Sequence, residues 1–291
     1  MRRCTAPRTT GASGRAQREA LGAARDSSEL DTGDFAAIGG GTVSGPQYAL
    51  LQVTLGGGVQ ATVDAGGLTV DGAYVNTAGD GTFGVAGPLE LTNGGWVESD
   101  VDTTWSGGTP WQLGGGAGTS PDPPPTSGFE IVVGAQLTIT AATSAQATAG
   151  DGDGVIQLDG GATLFKQDAT TTTLGVSVLL DTSEVHVVAG RLIGRLQGSA
   201  DLNVSPGATL GLAGSGVQLA PARIDLTGGT IEVEAGADVA LQLPAAPALH
   251  HIGVLAGAAL DVAIDGGSGP VDKESAPYEL AQETAIGTGR H

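Results

Sequence analysis

From Phe35 onward, apolar and polar residues alternate in short runs separated by glycines, often in pairs. Alternation with period two is the pattern of many short strands, since residues two apart on a strand share one face. The recurring unit is apolar-x-apolar-x-x-Gly, followed by a second alternating run. It stands at Ala61-Thr62-Val63-Asp64-Ala65-Gly66 with Leu68-Thr69-Val70 after it, and returns at residues 89–94, 156–161, 185–190, 202–207, 224–229 and 252–257. In this unit Val185 and Val187 face inward and His186 outward, while the glycine supplies a corner at little steric cost. The late glycines 190, 207, 229 and 257 are 17, 22 and 28 residues apart, so loops of varying length leave a coil of constant shape. One thin coil cannot bury its own apolar side; stacking coils does, and pairs the backbone groups along the axis. The pattern therefore predicts an all-β fold, a right-handed parallel β-helix (β-solenoid) over residues 35–265. About ten coils at roughly 4.8 Å would give a rod of about 50 Å.

Three stretches break the alternation. Residues 1–34 are Arg-, Ala- and Ser-rich without a strand pattern, with a possible short helix from Arg15 to Arg25. They read as disordered or as a mispredicted start, the true export signal belonging to a longer parent chain. Residues 114–127 carry Pro121, Pro123, Pro124 and Pro125, and proline removes ladder donors, so this is a loop thrown out of the solenoid. The competing division, two antiparallel sandwiches split at that loop, would show itself as sequential hairpins. The tail, 266–291, is irregular, with a weak helix at Ser275 to Thr284.

Composition sharpens the picture. Glycine occurs 51 times and aromatics are only 3%, so the 40% hydrophobic share rests on Ala, Val, Leu and Ile, which suit a narrow layered core. Net charge is −19, and half of the 12 basic residues fall before residue 26. The acidic body repels phosphate backbones, which excludes nucleic acid as a partner of that body. Cys4 is the only cysteine, so there is neither a disulfide framework nor a thiolate metal site. The first thirty residues lack the apolar run of a signal peptide. The longest apolar stretch, Leu241 to Ile264, is broken by Pro244, Pro247, His250 and His251, which makes it a poor membrane span.

Residues 89–243 resemble the bacterial β-strand-repeat surface proteins, related in style to haemagglutinin-like and autotransporter-passenger solenoids. The resemblance rests on Trp105-Ser106-Gly107-Gly108, on Gly161-Ala162-Thr163-Leu164-Phe165-Lys166 and on Thr170-Thr171-Thr172-Thr173-Leu174. The following Glu184-Val185-His186-Val187 and Gly190-Arg191-Leu192 continue it. It implies a parallel β-helix, export, and an extracellular or cell-surface location as part of a longer chain. It carries over no catalytic residues.

Candidate chemistry is sparse. Asp151 and Asp153 sit between glycines with Asp159 just after, and carboxylates so spaced can wrap calcium, although the spacing matches no standard calcium loop. The bland alternative is a solvated acidic turn. His250 and His251 are adjacent, so on a strand they point to opposite faces and cannot share an ion. Trp96, Trp105 and Trp111, near Tyr74 and Phe83, either stack on glycan rings or plug the core. Outward acids such as Asp225, Glu232 and Glu234 lack basic partners for lyase chemistry, and no nucleophile motif is present. The expectation is a structural or adhesive module with no catalysis and no cofactor, whose partners would be extracellular glycans or host cell-surface components. The alternative is a glycan-binding or glycan-cleaving parallel β-helix.

Overall fold

The computed structural model describes the backbone of residues 2–4, 28–31, 41–55, 60–114, 126–147, 154–226, 228–243, 250–254, 259–264 and 278–282, and side chains within 61–242. Among the described residues there are strands, turns and bends but no helix. Every described strand pairing is parallel, and all belong to one sheet. The hairpins that a sandwich pair requires do not occur among them.

Layers of three strands stack in register. Leu89–Thr92, Trp96–Ser99 and Asp102–Trp105 form one layer. Trp111–Leu113, Gly128–Ile131 and Gln136–Ile139 form the next, each strand bonded to its counterpart. Ser144–Ala147, Val155–Leu158 and Thr163–Lys166 follow in the same three ladders. The long strands Thr171–Val187 and Arg191–Val204 each run through all three ladders, with register shifts at Leu174/Ser177 and Asp181/Ser183. Thr209–Leu212, Val217–Leu219 and Ile224–Asp225 continue them, and then Thr230–Val233 and Asp238–Leu243. Residues 115–125 lie outside the described residues. The strands on either side of them bond the same neighbouring layers, so the ladders run through this point.

Alternation puts two buried columns inside each ladder, and one of them can be followed from layer to layer. In the second ladder it is Val75, Val97, Phe129, Ile156, Val178 and Leu196, all buried. In the third it is Val85, Trp105, Ile139, Lys166, Val187 and Val204. Each fully buried Val or Leu contributes roughly 1.5–3 kcal/mol relative to exposure. A core of many small contributions thus replaces a few aromatic ones. The expected corner glycines are there too: Gly190 has φ +69° and Gly207 φ +76°.

Two expectations at the ends meet a different structure. Arg2–Cys4 and Ser28–Asp31 are strands, paired with each other, and Ser28–Asp31 pairs onward with Gly41–Leu55. Tyr278–Gln282, expected within a weak helix, is a strand paired with His250–Val254. An open ladder edge offers each of these segments a full set of backbone partners, and that outweighs local propensity.

Candidate functional site

The second ladder carries the most concentrated polar chemistry of the described residues. Its outward column reads Asn76, Glu98, Glu130, Gln157, Leu179 and Gln197 in strict register. Parity decides this: with Val97 and Phe129 inward, Glu98 and Glu130 must face out. Tyr74 and Trp96 stand one outward position earlier, opposite each other on adjacent strands.

Two hydrogen-bond networks run side by side here. Tyr74 donates its hydroxyl to Glu98 Oε2, and Asn76 Nδ2 donates to Glu98 Oε1 at 2.7 Å and to Asp100 Oδ2 at 3.3 Å. In the next layer Trp96 Nε1 donates to Glu130 Oε2 at 2.8 Å. Gln157 Nε2 donates to Glu130 Oε1 at 3.4 Å and to Asp159 Oδ1 at 2.9 Å. Trp96 reaches Glu130 because Gly128 lies beside it; a Cβ at Gly128 would stand 2.3 Å from the indole Cζ3. The indole therefore lies across bare backbone and is half-buried.

Electrostatics follow from this crowding. Burial, then the neighbouring charges of Glu130 and Asp100, push Glu98 up to about 7. Burial also raises Glu130, although the Trp96 hydrogen bond works against it. Near neutral pH this pair of stacked carboxyls can hold a proton, and could act as a weak acid toward a bound group.

No family model, curated protein or solved structure matches the chain. Function has to be argued from the surface itself.

The residues singled out from the sequence separate into three groups. Trp96 and Asp159, read as parts of two different sites, come together on this one face. Trp105 and Trp111 do not join them. Both are fully buried, stacked on each other at 3.8 Å, with Phe129 tilted against Trp111 at 4.8 Å. Their strand positions have inward parity, so they fill the core and cannot serve as a glycan platform. Their indole N–H groups have no partner among the described residues. Asp151 and Asp153 lie outside the described residues. Among the described residues no group of three or more His, Cys, Asp or Glu is arranged to hold a metal ion.

Other acids, and His186, have partners away from this face. Glu232 and Glu234 both pair with Arg191 Nη2, each at 2.5 Å, an arrangement that passes over Gly211. The sequence reading missed this basic partner because it lies 43 residues from Glu234. Arg223 and Asp225 approach to 3.9 Å. His186 bonds Glu184 at 2.9 Å and stacks on Phe165. His250 and His251 fall on a strand whose side chains lie outside the described residues. No helix among the described residues is long and apolar enough to cross a membrane.

Proposed function

We propose that the chain is a structural or adhesive module of a larger exported bacterial surface protein, with its strands wound as a right-handed parallel β-helix. Its side would make shallow, repeated contacts with extracellular glycans or host cell-surface components. The observation that carries this reading is the outward column from Asn76 to Gln197, polar in every layer except that of Leu179, above a continuous apolar core. Repetition at the strand spacing turns many weak contacts into useful avidity. Right-handed winding is supported by the parallel pairing of successive layers, since such crossovers are right-handed in nearly all proteins. The glycine-rich, nearly cysteine-free composition and the Trp105–Gly108 and Thr170–Leu174 resemblance support export.

A second reading, glycan cleavage, is favoured by one specific feature: the stacked Glu98 and Glu130 carboxyls, both raised above their usual range. Paired carboxyls are the equipment of glycoside hydrolysis. The two readings separate in one assay. The purified chain, free and multimerised on beads, is incubated with cell surfaces and a panel of polysaccharides. Retention that grows steeply with multimerisation, without new reducing ends, is the expected result. No retention on any surface would sink the adhesive role. Release of reducing ends that disappears in Glu98→Gln would establish cleavage instead.

A further inference from the structure

Farther along the same side lies an open groove of 840 Å³ that spans four consecutive layers. Gln197, Gln218 and Gln242 line it, while Leu180, Leu219 and Leu241 in the same strands are buried in the core. The room exists because side chains shrink here. Ala240 follows Gln218 in register, and Gly198 has φ +110° with a neighbouring carbonyl 2.0 Å from where a Cβ would sit. Of the residues lining it, only Asp181 is charged, in a chain of net charge −19.

We infer that this groove binds a neutral oligosaccharide, laid along the stacking direction. The inference rests on the adhesive reading and names its ligand class. An amide offers one acceptor and two donors on a planar fork, which complements the vicinal hydroxyls of a sugar. With the Gln197 amide turned so that its oxygen accepts from Arg195 Nε at 3.1 Å and Nη2 at 3.3 Å, its N–H₂ is the end left to face a ligand. Gln197 and Gln218 belong to successive layers, so their amides recur at the strand spacing of roughly 4.8 Å, close to the length of one sugar ring. The volume lies within the usual range of roughly 300–1,000 Å³ for ligand sites. An anionic polymer is repelled by the surrounding field, and no cluster of acids in the groove attracts a cation. A peptide cannot add as a strand, because the backbone groups of these layers are spent on one another along the ladder.

The test uses the full chain and soluble hexasaccharides of neutral glucan, mannan, galactan and xylan, with a uronic-acid hexamer beside them, titrated by calorimetry. Ala240→Trp fills the groove from an exposed position, Gln218→Ala removes one amide, and Val133→Ser on a remote turn is the control. Thermal melting by circular dichroism confirms that each variant is folded. At least one neutral series should bind and the uronate should not. Ala240→Trp and Gln218→Ala should weaken binding tenfold or more, with Val133→Ser unchanged. Undiminished binding by Ala240→Trp would overturn the groove while leaving the adhesive reading intact. The groove is also overturned if no neutral hexamer binds. Bead retention on cells then tells whether the adhesive reading falls with it.

Discussion

At the residue scale, glycine is used for two separable reasons. Gly207 has φ +76° with open space where a Cβ would sit, whereas at Gly190, φ +69°, a Cβ would lie 2.3 Å from the Thr170 carbonyl oxygen. Gly207→Ala should cost only the left-handed backbone, about 1–2 kcal/mol. Gly190→Ala must also displace a neighbouring layer and should cost clearly more; urea midpoints compare the two directly. Lys166 poses the opposite problem. It occupies an inward position in an apolar column, is wholly buried, and ion-pairs with Asp168 while bonding its carbonyl at 2.8 Å. Burial pushes its ammonium down to about 8. Removing only the partner strands a charge, so Asp168→Ala should destabilise by about 3–5 kcal/mol. Lys166→Met keeps the stem and removes the charge, and should be near neutral or stabilising in the same urea series. Equal losses in both variants would mean that the pair stabilises the fold outright.

At the scale of elements, the paired networks of the second ladder couple adjacent strands through protons. Glu98 titrates near 7 in the folded chain against an ordinary 4.5. Between those values the folded chain holds a proton that the unfolded chain has lost. The contribution of this group to stability is therefore full below about pH 4.5 and is lost as pH rises through 7. Its surroundings are Tyr74, Asn76, Asp100, Glu130 and Asp159, and the two neighbouring strands bring no cation against it among these groups. Stability measured from pH 4.5 to 8 should fall more for the native chain than for Glu98→Gln, other carboxyls cancelling in the difference. Parallel curves would mean that Glu98 is solvated and the ladder loose. The sequence told which residues face outward here, since Val97 sets the parity. It did not tell that Glu98 meets Glu130, because a proline-rich insertion stands between their strands.

At the scale of the whole molecule, each layer touches only the layers above and below, so stability is a sum of neighbouring interfaces more than one collective core. Trp111 sits where that sum is locally most concentrated, stacked on Trp105 and against Phe129. Trp111→Ala should cost about 3–5 kcal/mol. The loss of amide protection on hydrogen exchange should be greatest over residues 89–166 and fade toward the layers at 209–243. Uniform loss along the chain would mean that the stack opens as one unit.

Local pattern alone determined that this chain makes strands and which side of each strand is apolar, because both depend on residues only a few positions apart; that Thr171–Val187 and Arg191–Val204 run on as long strands it did not tell. The same parity holds the answer for the tryptophans: Trp96 shares its face with Glu98, while Trp105 shares the inward face of Thr103. What only the tertiary structure decided is which residue stands beside which in the next layer. Partners lie from 21 to 34 residues apart along the acidic ladder and its neighbours, as loops of different length intervene. That variable spacing hid the meeting of Trp96, Glu130 and Asp159, the Arg191 bridge and the amide-lined groove. The backbone ladder fixes vertical register through hydrogen bonds that every residue type can make, and such bonds leave no mark in the sequence.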